Sequence, residues 1–206
     1  MHIYAFGSIC RGDIDLHSDI DLLSIIDGYD SRFDPNTYSI YSYSRIAKIW
    51  EEGNPFAWHL ATEAKLIYSS NGSDYIQELG SPHEYNNYKN DCTKFYNLFL
   101  NAFASIKSGS NSQIFELSTI FLSIRNFATC YLLGRNKIKD FSRHSAIHLD
   151  NRSLKISNAA YEILENSRII STRGVGKIIS QRESLLAIEE LNNIKYWMEY
   201  LLNEVK

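Results

Sequence analysis

The spacing of apolar residues changes near residue 80. Before that point, short apolar runs alternate with turn-forming residues, which is typical of strands and short helices in a mixed domain. After it, apolar residues recur every three or four positions over long segments, which predicts amphipathic helices. We therefore predict an α+β fold in two domains, with a small mixed β-sheet domain in residues 1–80 and an all-α helical bundle in residues 81–206.

The first domain is predicted to contain four strands and two short helices. Runs of apolar, β-branched and aromatic residues bounded by turn formers place the strands at 3–6, 20–26, 37–43 and 64–68. Ser44 is predicted to cap a helix over 45–52 that ends at Gly53, and a second helix is expected over 55–62.

The second domain is predicted to consist of long helices. Apolar faces indicate helices over 85–106, over 114–131 with an end at Gly134, and over 185–201. Between the last two, Ser157 is predicted to cap a helix that runs to about 168. The stretch 171–176, STRGVG, is predicted to form a loop.

The charge balance restricts the chemistry of the chain. Its 206 residues carry 21 Lys and Arg against 24 Asp and Glu, a formal net charge of -3. Bulk positive charge therefore does not hold nucleic acid here, and any phosphate must be bound at a local site. A hydrophobic content of 44% excludes a disordered chain.

The cysteines and the apolar runs indicate the compartment. Three cysteines, at positions 10, 92 and 130, are widely spaced and form no metal-type motif, which favours reduced thiols in a cytoplasm. No run approaches about 18 consecutive apolar residues, and the first residues lack the pattern of a secretory leader. We expect a soluble, cytoplasmic protein with no membrane partner.

One segment near the N-terminus carries the clearest chemistry. The first predicted strand ends in Gly7 and Ser8, where a missing Cβ, a hydroxyl and backbone N–H groups suit a phosphate. Asp19 and Asp21 follow at the start of the next strand, where the two-residue period puts both carboxylates on one face. Two adjacent carboxylates repel each other unless a cation lies between them, and oxygen ligands suit Mg²⁺.

A second Asp-x-Asp pair precedes this one. Asp13 and Asp15 are followed by Leu-His-Ser instead of an apolar run, so we expect them in a solvated loop before the strand. They are the weaker candidates for the metal pair.

The segment GSICRGDIDLHSDIDLL, residues 7–23, resembles the signature of the DNA polymerase β-like nucleotidyltransferase superfamily. Its Gly-Ser, Arg-Gly and Ser-Asp-x-Asp elements stand at the spacing found in the small minimal and aminoglycoside-type branch. Residues 55–70, PFAWHLATEAKLIYSS, resemble the segment that closes the same domain in relatives. Residues 121–149 resemble, more loosely, the helical domain that follows it.

The resemblance implies a role for each matched residue. Gly7 and Ser8 would hold the β- and γ-phosphates of a nucleoside triphosphate, and Ser18 would add a hydroxyl to a phosphate. Asp19 and Asp21 would be the catalytic carboxylates and would bind Mg²⁺ or Mn²⁺. For Arg11, a contact with the triphosphate and an ion pair with a nearby aspartate are equal alternatives.

One acid of the family pattern is missing from its expected strand. The superfamily usually has a third carboxylate on a neighbouring strand, but the predicted strand 37–43 contains no acid and has Ser39 near that place. Glu63 and Asp34 are the nearest acidic candidates, although neither lies in the family pattern. This departure leaves two alternatives, an active enzyme and a nucleotide-binding protein that has lost its chemistry.

The helical half adds weaker candidates. Arg125 lies in a strongly apolar helix, where an internal ion pair and a substrate contact are both open. The basic residues of 135–148, which include Arg143, predict either a solvated loop or a surface that faces substrate or nucleic acid. Arg143 and His148 also match the R-x4-H spacing of HEPN-type ribonucleases, a short pattern that leaves a ribonuclease as a further alternative.

The resemblance implies transfer of a nucleoside monophosphate from ATP, another NTP or a dNTP to a hydroxyl. The acceptor would be a protein side chain, an oligonucleotide that grows into a product, or an antibiotic of the aminoglycoside class. A composition rich in Ile, Asn, Ser, Tyr and Lys is typical of mobile bacterial genes, which favours a toxin–antitoxin or anti-phage defence setting with a protein partner encoded nearby. A homo-oligomer is compatible with the sequence.

Overall fold

The computed structural model describes residues 1–13 and 20–205 of the chain. The chain divides into two compact units, Met1–Asn86 and Asn87–Lys206. The first unit contains a sheet with short helices and the second contains helices, which confirms the predicted α+β fold with a mixed sheet followed by an all-helical part.

The sheet of the first unit has the order β3-β2-β1-β4 among the described residues. Its strands are β1 (His2–Phe6), β2 (Asp21–Ile25), β3 (Tyr38–Tyr41) and β4 (Lys65–Ser69). The central strand β1 runs antiparallel to both β2 and β4, whereas β2 and β3 are parallel. The register pairs Phe6 with Asp21, so the last residue of β1 lies beside the first residue of β2.

Four helices accompany this sheet in the described part of the first unit. They are α1 (Ser8–Arg11), α2 (Tyr43–Glu51), α3 (Pro55–Glu63) and α4 (Tyr75–Leu79). Tyr4 and Phe6 of β1 lie in one apolar core with residues of β2, α2 and α3. This core fixes the end of β1, and therefore the start of α1, against α3.

The start of α2 corrects one prediction. The backbone N–H of Arg45 donates to the Ser42 hydroxyl over 3.1 Å, so Ser42 is the N-cap and the predicted cap, Ser44, lies inside the helix. The reason is that β3 ends at Tyr41, two residues before the aromatic run ends. Gly53 follows the C-cap of α2 with φ of 61°, as its predicted role requires.

The second unit contains five α-helices among its described residues. They are α5 (Tyr88–Lys107), α6 (Gln113–Tyr131), α7 (Asn158–Arg173), α8 (Gln181–Glu189) and α9 (Leu191–Val205). The interior of the unit is centred on α6, which is buried along most of its second half and contacts α5 and α7. The predicted cap Ser157 is confirmed, because its hydroxyl accepts the N–H of Ala160 over 3.2 Å.

Three helix ends in this unit differ from the predictions. Gly134 does not end a helix, since a π-helical turn continues from Leu132 to Asn136, and an added Cβ at Gly134 would overlap the Tyr88 side chain. The predicted loop at 171–176 begins later, because α7 runs to Arg173 before the left-handed Gly174. The last predicted helix is two helices, which separate at Glu190.

None of the helices in residues 1–13 and 20–205 combines the length and the apolar character that a membrane crossing requires.

Two hydroxyls buried in the sheet of the first unit provide a matched test of its energetics. Ser24 is 0% exposed and its Oγ has no hydrogen-bond partner among the described residues. Tyr4 is also buried, but its hydroxyl donates to Asp74 over 2.9 Å and accepts the N–H of Ile76 over 3.0 Å.

We expect Ser24→Ala to leave the free energy of unfolding unchanged or to raise it by up to about 1 kcal/mol, because a buried hydroxyl without a partner costs free energy. Tyr4→Phe should lower it by about 1–2 kcal/mol, because the buried N–H of Ile76 and the partly buried Asp74 lose their bonds to the hydroxyl. Urea unfolding followed by circular dichroism measures both. Equal losses in the two variants would contradict this account.

Glu204 of α9 provides a pH-dependent test in the second unit. Its carboxylate accepts hydrogen bonds from the Tyr131 hydroxyl and, over 2.8 Å, from Arg152 Nε. The bond from Tyr131 and the charge and bonds of Arg152 lower the pKa of Glu204 to about 2, against the opposing effect of burial. Because this value lies below that of an unfolded glutamate, the stabilisation is complete above about pH 5 and is lost as the pH falls towards 2.

Glu204→Gln is therefore expected to lower the free energy of unfolding by about 2 kcal/mol at pH 7, and by progressively less between pH 5 and pH 3. Tyr131→Phe, which removes the first donor, should shift the loss of stability towards higher pH. Urea unfolding at a series of pH values measures the difference between each variant and the unchanged chain. A Glu204→Gln difference that stays constant from pH 6 to pH 3 would refute this explanation.

Candidate active site

Gly7 and Asp21 form the closest junction of the site. Gly7 follows β1 with φ of 78° and ψ of -151°, a conformation that side chains other than hydrogen strongly disfavour. An added Cβ at Gly7 would overlap Oδ2 of Asp21 and lie 3.2 Å from its Cγ. The glycine therefore serves two purposes: it permits the turn and it lets the Asp21 carboxylate lie directly against the backbone.

The backbone after Gly7 folds into one tight turn. The N–H of Cys10 donates to the Gly7 carbonyl and the N–H of Asp13 to the Ser8 carbonyl, both over 3.0 Å. Gly12 then takes a left-handed conformation with φ of 82° and ends α1. Ser8 is buried at the start of α1, and Arg11 is the last residue of this short helix.

Arg11 is held by two carboxylates. Its Nε lies 2.9 Å from Oδ2 of Asp13, and its Nη1 lies 2.6 Å from Oε2 of Glu63 at the end of α3. Burial lowers the pKa of Arg11, but the bonds and charges of Asp13 and Glu63 outweigh it, so the net shift is upward and the guanidinium stays charged. Of the two alternatives that the sequence leaves open, the described structure contains the ion pair with an aspartate and adds one with Glu63.

Glu63 is 6% exposed and has a second partner. Oε2 of Glu63 lies 2.8 Å from Nε2 of His59, one helical turn earlier on α3. The His59 ring meets Phe6 edge to face with 5.5 Å between ring centroids. The i,i+4 spacing of His59 and Glu63 is the sequence signal that could have joined the two residues.

Four charged side chains of the first unit lie close enough to the Cys10 thiol to affect its pKa. Burial raises the pKa of Cys10, Lys65 and Arg11 lower it, and Glu63 and Asp21 raise it, with a net upward shift. All four charges thus lie within electrostatic reach of one sulfur atom in α1. Lys65, the first residue of β4, was missed by sequence reasoning because only the pairing of β4 with β1 brings it there.

Ser39 lies away from the Gly7–Asp21 junction. It is an exposed residue of β3, and the parallel register pairs it with Leu23, two residues along β2 from Asp21. Ser39 carries a hydroxyl and no carboxylate, so it does not supply the third acid. Asp34 caps a turn by accepting the N–H of Asn36 over 2.9 Å.

The weaker candidates of the helical half lie in the second unit. Arg125 donates through Nη2 to the Phe141 carbonyl over 3.4 Å, and Arg143 lies 3.3 Å from Glu165. Nδ1 of His148 lies 2.9 Å from Oδ2 of Asp140. Arg143 and His148, the two residues of the ribonuclease-like spacing, therefore each have a carboxylate partner.

The described carboxylates of the site are suited in part to a divalent metal ion. Asp19, Ser18 and Asp15 lie outside the described residues. Within residues 1–13 and 20–205, no group of three or more His, Cys, Asp or Glu side chains is arranged to hold a metal ion. Asp21 offers carboxylate oxygens next to a backbone turn, and such oxygens fit Mg²⁺, which needs few protein ligands when phosphates supply the others.

Gly7→Ala tests the junction, and Gly28→Ala is its matched control. Both glycines have φ of 78°, but an added Cβ at Gly28 meets nothing within 4 Å. Gly28→Ala should therefore cost only the backbone strain, about 1 kcal/mol. Gly7→Ala should cost about 1–3 kcal/mol more, because the new methyl group must displace the Asp21 carboxylate and because ψ of -151° puts Gly7 in a region that is essentially limited to glycine.

Urea unfolding of the two variants measures the difference between them. Losses of equal size at the two positions would show that Asp21 does not lie against Gly7.

Comparison with known proteins extends these observations. No curated protein shows significant similarity to the chain. The model of the family described as "Nucleotidyltransferase domain" matches residues 2–78, a segment that contains the four strands and the Gly7–Asp21 junction. The match confirms the predicted resemblance to the polymerase β-like superfamily, whereas the narrower branch stays a prediction. Residues 2–78 therefore match the nucleotidyltransferase domain family, and this match covers none of the helical second unit.

Proposed function

We propose that the chain is a Mg²⁺-dependent nucleotidyltransferase that moves an NMP or dNMP from a nucleoside triphosphate to a hydroxyl acceptor. The observation that carries the proposal is the Asp21 carboxylate against the Gly7 backbone, inside a segment that matches the nucleotidyltransferase family. A carboxylate beside a phosphate-binding turn would repel the phosphates if no cation were present. With a divalent cation between them, the carboxylate and the triphosphate both become ligands of the metal.

The residues of the turn would bind the triphosphate. The backbone of Gly7 and Ser8 and the hydroxyl of Ser8 would hold the β- and γ-phosphates, with Ser18 as a further hydroxyl. Asp19 and Asp21 would hold the metal. When bound, the metal supplies charge neutralisation and a lower pKa for the acceptor hydroxyl. Arg11 and Lys65 would add positive charge at the same turn.

In the reaction, an oxygen–phosphorus bond forms between the acceptor and the α-phosphate, and the bond from the α-phosphorus to the leaving oxygen breaks. Pyrophosphate leaves, and the hydroxyl proton must pass to a base. No acid is present on β3 to serve as this base, since the strand reads Tyr-Ser-Ile-Tyr. That composition supports the second candidate, a nucleotide-binding protein without turnover.

The acceptor is proposed to be a protein side chain or an oligonucleotide, in a bacterial toxin–antitoxin or anti-phage defence setting. The chain composition supports this setting over an antibiotic of the aminoglycoside class, which is the alternative acceptor. A protein encoded next to this chain would be the first acceptor to test.

The decisive assay is pyrophosphate release from each NTP and dNTP with Mg²⁺ or Mn²⁺, with and without candidate acceptors. We expect one nucleotide to support release, and Asp19→Asn and Asp21→Asn to lower the rate by roughly 100-fold or more. Asp30→Asn is the control, because Asp30 pairs with Arg32 in a turn outside the site and should leave the rate unchanged.

Nucleotide binding without turnover under all conditions would replace the enzyme with the nucleotide-binding candidate. Turnover that survives both Asp19→Asn and Asp21→Asn would place the chemistry elsewhere in the chain.

A further inference from the structure

Glu63 is a buried carboxylate near the proposed nucleotide site, and its role is open. The third acid of the family pattern is missing from β3, and Glu63 is an acidic side chain near the Gly7 turn. Two roles are chemically distinct. It could take the place of the missing metal ligand, or it could fix another group that meets the nucleotide.

The partners of Glu63 distinguish the two roles. One oxygen, Oε2, lies 2.6 Å from Nη1 of Arg11 and 2.8 Å from Nε2 of His59. A carboxylate that is 6% exposed depends on such partners for its charge to be tolerated. Binding a metal would require Glu63 to give up the guanidinium, which would leave the partly buried Arg11 without its better-shielded partner.

The partners of Arg11 point the same way. Its bonds to Asp13 and Glu63 use Nε and Nη1, two of the five N–H groups of a guanidinium. The side chain of Asp13 is 59% exposed and that of Glu63 is 5% exposed, so solvent weakens the first bond far more than the second. Glu63 therefore determines where the guanidinium lies, and further N–H donors remain for an anion.

The His59 ring is the second partner of the Glu63 carboxylate and is itself held by aromatic contacts. It contacts Phe6 at the end of β1 and Phe56 in α3, with centroid separations of 5.5 Å and 6.3 Å. The series Phe6, His59, Glu63 and Arg11 thus connects the sheet, α3 and α1 through direct contacts. A rigid support of this kind is what a phosphate-binding arginine needs if it is to lose little entropy on binding.

We propose that Glu63 is a positioning residue: supported by His59, it holds the Arg11 guanidinium at the Gly7–Ser8 turn for contact with the triphosphate, and it is not the missing metal ligand. The inference rests on the proposed function. It assigns to Glu63 and His59 an effect on nucleotide affinity that acts through Arg11.

The test is a double-mutant cycle in nucleotide binding. Titration calorimetry of the full chain with ATP, and with inorganic tripolyphosphate, is performed at fixed Mg²⁺ for the unchanged chain, Arg11→Gln, Glu63→Gln and the double variant. We expect each single variant to raise the Kd about 10-fold. The double variant should be no weaker than Arg11→Gln alone, because Glu63 acts only through Arg11.

Two further variants give the comparison its controls. Asp13→Asn removes the exposed partner of the same guanidinium and should raise the Kd by no more than about 3-fold. His59→Gln leaves the charge of Glu63 in place and should raise the Kd about 3-fold in the unchanged chain, with no effect in the Arg11→Gln background. If Glu63→Gln does not fold by circular dichroism, the His59→Gln cycle decides the question.

The outcomes separate this inference from the proposed function. If the fold-increases in Kd of Arg11→Gln and Glu63→Gln multiply in the double variant, the two residues act independently and the inference fails. If Glu63→Gln raises the Mg²⁺ concentration needed for half-maximal binding while Arg11→Gln does not, Glu63 is a metal ligand and the inference fails.

If the unchanged chain binds neither ATP nor tripolyphosphate, the proposed function fails and this inference fails with it. If the unchanged chain binds but neither single variant weakens binding, only the positioning role is wrong.

Discussion

The contact between the Asp21 carboxylate and the Gly7 backbone is the constraint on which the first unit depends. It arises because β1 and β2 pair antiparallel with Phe6 opposite Asp21, so the end of one strand and the start of the next meet at one place. The contact requires glycine at position 7 twice, for its φ of 78° and for the space that a Cβ would fill. It also places a carboxylate beside the Gly7–Ser8 turn, where the proposed function puts a triphosphate and a divalent cation.

The charges around this contact explain how a nearly neutral chain could handle a triphosphate. Two positive and two negative groups at one turn all affect the pKa of Cys10: Lys65, Arg11, Glu63 and Asp21. Of the two positive groups, Arg11 is fixed by Asp13 and Glu63, whereas the net charge of the whole chain is -3. An arginine held by a buried glutamate presents its N–H donors at a fixed position, which agrees with recognition of a small anionic ligand at this turn.

Patterns within single elements predict much of this fold, whereas contacts between elements are the part that sequence reasoning misses. Apolar runs, β-branched and aromatic composition and flanking turn formers place all four strands to within two residues at each end, although only β1 shows a regular alternation of buried residues. The series His59, Glu63 and Arg11 is not predictable in this way, since it depends on how α3 packs on β1. Gly134 shows the same limit: it resembles a helix end, but the close approach of Tyr88 is the reason for it.

A crystal structure of the chain with Mg²⁺ and a non-hydrolysable nucleoside triphosphate analogue tests the central claim most directly. The account predicts a triphosphate against the backbone of Gly7 and Ser8, and a metal ion between the phosphates and Asp21. A triphosphate bound at any other surface, with Gly7 and Asp21 still in contact and without phosphate or metal beside them, would contradict it.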